Sequence, residues 1–124
     1  MGEKFRTFTT SAGTIVLAGR DAKTNEELIR QVEPNEDVFH TEAAGSAFVN
    51  IKGDPKKGDT KEAAIFCAKY SRDWKKNKKD ILIHKFKGRD IYKERGMKIG
   101  TFGLKNFKIL TIRKEEIENF SITI

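Results

Sequence analysis

The spacing of apolar and polar residues along this chain changes several times, and each change marks an expected element. Loose alternation over Phe5 to Thr9, a turn at Ser11-Ala12-Gly13 and apolar sequence over Thr14 to Ala18 predict an opening hairpin. A helical repeat follows, with Leu28, Ile29 and Val32 on its inner face and Pro34 as its stop. Its start has two candidates. Thr24 with Glu27 three residues on makes a capping box, and Asp21 would cap the helix one turn earlier. Asp37 to Thr41 and Ala47 to Lys52 then read as strands, joined by the small link Ala43-Ala44-Gly45-Ser46.

The turn-rich loop Gly53 to Gly58 leads into a second helix, capped by Asp59 with Glu62 as the reciprocal residue. Ala63, Phe66, Cys67, Tyr70 and Trp74 recur at helical spacing and predict one continuous buried stripe. The helix closes on Trp74-Lys75-Lys76-Asn77-Lys78-Lys79, where positive charge suits a C-terminus. Ile81 to Phe86 alternates as a strand, and Arg89 to Arg95 reads as a turn of helix. Gly100 to Leu104 and Phe107 to Arg113 predict a final hairpin, although Lys105-Asn106 lacks the glycine of a favoured two-residue turn. After the acidic run Glu115 to Glu118, Phe120 to Ile124 is expected as an edge strand. No repeat and no linker interrupts this order. The expectation is one domain over residues 1–124 of α+β class, a mixed, mainly antiparallel sheet with two main helices packed on it.

Composition narrows the chemistry. Hydrophobic residues make up 37% and charged residues 35%, so the chain is globular but heavily charged, and nine Phe supply most of its aromatic core. Lys and Arg number 25 against 18 Asp and Glu, a net charge of +7 that favours polyanionic partners, with nucleic acid the commonest. The competing explanation is a solvated Lys/Glu surface of the kind found in heat-adapted proteins. A lone cysteine, Cys67, rules out an internal disulfide and a multi-cysteine zinc site, and its apolar neighbours predict a buried structural thiol. No apolar run spans a bilayer, and the first residues have neither a signal-peptide core nor a myristoylation pattern. A cytoplasmic protein without a membrane partner is expected.

Candidate functional residues gather where strands end. Thr14 to Leu17 runs through Gly19 into Arg20 and Asp21 and then into the first helix. Backbone amides and a guanidinium at such a corner can face an anion. Arg20 would clamp a phosphate, Lys23 would add a point charge, and Asp21 would orient Arg20 or cap the helix. A local Arg-Asp ion pair that merely fixes the corner is the plain alternative. His40 and Glu42 are two apart in strand sequence and so share a face. His40 suits base stacking or a phosphate contact better than metal binding, because His84 is the only other histidine. Gly45 and Ser46 would let a ribose or phosphate approach closely, unless they serve only a tight bend. Arg72, Lys75, Lys76, Lys78 and Lys79 are the densest basic cluster, extended downstream by Lys85, Lys87 and Arg89. Lys56, Lys57 and Lys61 form a weaker second cluster, and a solvated face accounts equally well for either charge run. Trp74 belongs with the core. Gly100-Thr101-Phe102-Gly103 lacks the lysine of a phosphate-binding loop.

These blocks resemble the NFACT-R domain, the RNA-binding module of the NFACT proteins. The resemblance rests on Gly19-Arg20-Asp21-Ala22-Lys23 with Asn25-Glu26, on Phe39-His40 with Gly45-Ser46-Ala47, and on Glu62-Ala63-Ala64 with Tyr70-Ser71 and Trp74-Lys75. Ile91-Tyr92-Lys93, Gly96 and Gly100-Thr101-Phe102 complete it in the same order. It implies a non-enzymatic RNA-binding module that needs no cofactor and no metal. Its implied partner is structured RNA, tRNA or rRNA, on a large ribosomal subunit in ribosome-associated quality control. With 124 residues the chain has no room for the family's N-terminal domain, helix-hairpin-helix segment or coiled coil, so tail elongation is not carried over. Two other readings stay open. One is an enzyme acting on RNA, with His40, Glu42, Asp21 and Arg20 converging in one cleft. The other is a small protein-interaction domain whose charge serves solubility.

Overall fold

Two apolar layers sandwich an antiparallel sheet in the computed structural model, which describes residues 4–120. The strands are β1 (Arg6–Thr9), β2 (Ile15–Ala18), β3 (Asp37–Thr41), β4 (Val49–Ile51), β5 (Ile81–Lys87), β6 (Ile91–Tyr92), β7 (Gly103–Leu104) and β8 (Lys108–Ile112). The helices are α1 (Ala22–Gln31), α2 (Asp59–Lys69), α3 (Arg72–Asn77) and α4 (Lys114–Glu118). Six strands pair in the order β1-β2-β4-β3-β5-β8, and β6 pairs with β7 in a separate ribbon. Every pairing among the described residues is antiparallel. The α+β class stands, with a uniformly antiparallel rather than a mixed sheet.

Period-2 alternation explains the layers, since successive strand side chains point to opposite faces. Phe39, Ile81, Ile83 and Ile112 turn to one face, where Ala63, Phe66 and Cys67 of α2 cover them. Val38 and Phe86 turn to the other, where they meet Leu28 of α1 together with Phe48. Ile29 and Val32 pack on this second layer from its margin, half-buried.

The structure chooses between the two candidate helix starts and corrects other expectations. The first helix starts at Ala22 with Asp21 as its N-cap, so Thr24 lies within the first turn and completes the capping box. The second helix is capped at Gly58, with φ of 89°, and not by the Asp59 side chain. Asp59 instead accepts the Lys56 amide at 2.7 Å, and Glu62 accepts the Ser11 amide at 3.0 Å, tying the loop before α2 and the β1–β2 turn to the helix. The expected long helix is two helices. The Ser71 hydroxyl donates to the Ala68 carbonyl at 2.7 Å and accepts the Trp74 amide at 3.1 Å, so it ends one helix and caps the next. Trp74 is buried, as expected of a core residue, and Tyr70 is only half-buried.

The expected final hairpin does not form. Gly103–Leu104 pairs with β6, and Lys108–Ile112 pairs with β5 as the sheet's edge. A side chain on Gly103 would meet the Tyr92 ring and push it aside, so glycine lets the two strands close beneath the ring as it stands. Arg89 to Arg95 holds a single 3₁₀ turn, Gly88–Asp90, before β6. The acidic run Glu115–Glu118 lies in α4, and the edge strand expected at Phe120 to Ile124 falls largely outside the described residues.

Candidate nucleic-acid interface

Asp21 starts α1, and its carboxylate accepts the Thr24 amide at 2.9 Å. The Thr24 hydroxyl in turn accepts the amides of Arg20 and Asp21 at 2.7 and 2.9 Å. These bonds from the Thr24 amide and side chain hold the Asp21 carboxyl below its usual range, so it stays ionised. Asp21 is therefore a cap with a negative charge at the cleft rim. It is not the ion-pair partner of Arg20. Lys23 is exposed on the same turn and lines no cleft.

Beyond that cap lies a cleft of about 400 Å³, bounded by Arg6, Arg20, Asn25, Ser46, Tyr70 and Arg72 among others. Three arginines, from β1, the β2–α1 corner and the start of α3, line it. Among the described residues no carboxylate lies within ion-pair distance of any of the three. Arg6 sits over the Tyr70 ring at 5.0 Å, a cation–π contact that holds the guanidinium without neutralising it. Asn25 is only 8% exposed. Its Oδ1 accepts the Phe48 amide at 3.1 Å, which leaves Nδ2 with no acceptor among the described residues. Asn25 lines the cleft, where an incoming acceptor can meet it.

Ser46 differs from expectation in one respect. Its hydroxyl accepts the Thr41 amide at 3.1 Å and donates to the Ala47 carbonyl at 3.0 Å, so it is engaged within the fold. Gly45 has φ of 94°, and the Arg72 stem packs against the space its side chain would fill.

A second cleft, about 380 Å³, adjoins the first and shares Gly45, Ser46, Gly100 and Thr101 with it. His40, Phe48 and Phe102 form its apolar side, with the His40 ring 4.4 Å from Phe48 and Phe102 edge-on to Phe48 at 5.4 Å. Burial pushes the His40 imidazole below its usual pKa, against the pull of the Thr41 carbonyl 2.7 Å from Nδ1. A neutral ring donating from Nδ1 to that carbonyl satisfies both observations. Glu42 contacts His84 at 3.3 Å rather than His40. The four residues of the enzyme reading are thus divided. His40 and Glu42 line one cleft, and Arg20 and Asp21 line the other.

Of the expected basic patch, Arg72 alone enters the clefts. Lys75, Lys76, Lys78 and Lys79 are exposed along and just beyond α3, one to two turns away, with the Lys78 ammonium 4.8 Å from the Trp74 ring. Its downstream extension is bound internally. Lys87 and Lys85 meet the buried Asp37 at 2.7 and 3.7 Å, and Arg89 donates to Asn35 at 2.8 Å. Lys61 of the weaker cluster pairs with Glu116 at 2.8 Å. Cys67 is buried and its thiol is pushed up to about 12 by that burial, which suits packing and not nucleophilic chemistry. Among the described residues there is no cluster of three metal-ligating side chains and no helix long and apolar enough to cross a membrane. Sequence reasoning missed Arg6, Asn25 and Thr101 as cleft residues. Arg6 carries no local signal, since it occupies an ordinary strand position. Asn25 could have been noticed as a polar residue one turn before Leu28 on the helix's inner face.

Comparison with known proteins identifies the family and the fold. Residues 4–106 match the family described as NFACT protein RNA binding domain. Over 77 residues the chain is 40% identical to the archaeal Rqc2 homolog aRqcH of Methanocaldococcus jannaschii, an alignment covering 59% of this chain and 11% of that protein. The chain thus corresponds to about a tenth of its curated relative. The solved C-terminal part of the fibronectin/fibrinogen-binding protein from Streptococcus suis superposes with a TM-score of 0.81 over 96% of this chain and 49% of that one. At 22% identity this second likeness speaks to fold alone.

Proposed function

Because the chain belongs to the NFACT protein RNA binding domain family, we propose that it binds structured RNA, tRNA or rRNA, through the three-arginine cleft, and that it serves ribosome-associated quality control. The observation that carries this reading is the convergence of Arg6, Arg20 and Arg72 on one cleft without an ion-pair partner among the described residues. An isolated protein gains little by gathering like charges, and a phosphate chain relieves their repulsion while satisfying their N–H donors. The quality-control role rests on the likeness to the Rqc2 homolog. Lys75, Lys76 and Lys79 extend positive charge from Arg72 along α3 and would track further phosphates. A binding role is favoured over catalysis by the division of His40 and Glu42 from Arg20 and Asp21 between the two clefts.

Fluorescence anisotropy with a labelled tRNA transcript across a salt series tests this. Arg20→Ala, Arg72→Ala and Arg6→Ala should each weaken binding and each reduce the log–log salt slope by about 0.7 to 0.9, the value of one lost phosphate contact. Unchanged affinity and slope in all three variants would reject the cleft as the interface.

A further inference from the structure

Gly45 and Gly100 lie at the border shared by the two clefts, a saddle where a side chain on either would be strained. Gly45 has φ of 94° and Gly100 φ of 82°. A Cβ on the first would press on Arg72, and one on the second would lie 2.9 Å from the Ala22 backbone. Of the four residues that line both clefts, these two present backbone alone, beside Ser46 and Thr101. On one side stand guanidinium groups and the unpartnered Asn25 amide. On the other is a pocket with an aromatic wall of His40, Phe48 and Phe102, whose volume of about 380 Å³ lies in the range that holds small ligands. The charges opposing an anion there are placed apart. Asp21 sits at the rim of the arginine cleft, and Glu42 is held by His84.

We propose that the paired clefts seat one unpaired nucleotide of the bound RNA, its phosphate on Arg20, Arg72 and Asn25 and its base turned over the Gly45–Gly100 saddle into the His40–Phe48–Phe102 pocket. The proposal rests on the RNA-binding reading and adds to it a requirement that a base be free of its helix. A base in a duplex cannot enter the pocket without the cost of being unstacked. A bulged, looped or single-stranded base avoids that cost. Aromatic pockets accept bases of any sequence through their faces, so the selection is for an unpaired residue more than for a particular one.

Three labelled probes read the difference by anisotropy: a 12-nucleotide single strand, the same sequence as a blunt RNA duplex, and that duplex with one bulged nucleotide. The bulged duplex and the single strand should bind at least tenfold more tightly than the blunt duplex. Ala44→Phe, which fills the aromatic pocket from an exposed position outside the core, should remove the preference and leave blunt-duplex binding unchanged. Phe102→Ala, checked for folding by circular dichroism, should do the same. Arg20→Ala should weaken all three probes alike. Equal binding of the three probes by the unaltered protein, or a preference that survives both pocket variants, would overturn the base pocket while leaving RNA binding standing. Failure of every probe and of tRNA to bind would overturn both.

Discussion

The backbone N–H of Arg72 donates to the Gly45 carbonyl at 3.0 Å, and the arginine's Cβ and Nε lie 3.0 and 3.2 Å from where a Gly45 side chain would begin. One contact thus aims the guanidinium and fixes the link before β4. It exists because Ser71 ends α2 and caps α3, which turns the first residue of α3 toward that link. A single unbroken helix would give residue 72 a different direction.

Gly45→Ala should therefore act twice. The left-handed backbone costs an ordinary residue about 1–2 kcal/mol, and the new methyl displaces Arg72. Gly13→Ala is the control. Its φ is 88°, and nothing lies within 4 Å of the added carbon. Urea unfolding should show both variants destabilised, and RNA affinity should fall only in Gly45→Ala. Equal affinity in the two variants would mean that Arg72 does not depend on this contact.

Cations held within the fold should differ from those in the cleft. Lys87 pairs at 2.7 Å with Asp37, which is 2% exposed. Lys87→Ala should lower stability by about 1–3 kcal/mol, the cost of depriving a buried acceptor of its partner, while the salt slope of RNA binding stays at the unaltered value. A slope change as large as that of Arg20→Ala would show Lys87 touching phosphate.

Burial of His40 sets a pH dependence. Its folded pKa lies below the ordinary value of 6.5, so between the two the unfolded chain binds the extra proton and the folded chain does not. Stability is complete above about pH 6.5 and falls as pH drops below it toward the folded value. The buried carboxylate Glu36 is likewise depressed, since the Lys52 ammonium and two backbone amides outweigh its burial. Its contribution is lost only below its ordinary 4.5. The urea midpoint should thus decline between pH 7 and pH 5, and His40→Phe should flatten that decline. An unchanged pH profile in the variant would assign the decline to other groups.

Glu26 anchors the segment around Gly100 and Thr101 that lines both clefts. It accepts the Gly100 amide at 2.7 Å and the Lys93 ammonium at 3.1 Å. The Gly100 amide, and then Lys93, hold its carboxyl below the ordinary 4.5 against a burial effect in the opposite sense. The anchor is present above pH 4.5 and is lost as pH falls through the lowered folded value. Glu26→Gln should speed hydrogen exchange around residues 98–102 at neutral pH with little change in the sheet. Exchange confined to its original rate would show that Lys93, which also meets the Lys98 and Thr101 carbonyls at 2.6 and 2.8 Å, holds the segment alone.

The elements that periodicity foretold are those whose fate is decided locally. Phe5 to Thr9, Thr14 to Ala18, Asp37 to Thr41 and Ile81 to Phe86 alternate, and each is a strand within a residue or two of its expected ends. Their burial on two faces follows from that alternation alone. The Arg20–Asp21 corner, the link at Gly45–Ser46 and the α+β class were legible for the same reason, because turn and cap chemistry acts over three or four residues.

Pairing and charge were decided across the fold. Nothing in Lys108 to Ile112 states that its partner is β5 and not β7. That choice came from Leu110 and Ile112 matching Ile83 and Ile81 above α2, with Gly103 paired against Tyr92 instead. Composition reported 25 cations without saying which were spent on carboxylates. Only the packed chain separates Lys52, Lys61, Lys85 and Lys87, each with an acidic neighbour, from Arg6, Arg20 and Arg72, brought from three distant stretches to one cleft. Short-range sequence pattern determines local backbone and burial, whereas an ion pair or a cleft depends on distances between residues tens of positions apart, which exist only once the sheet has closed.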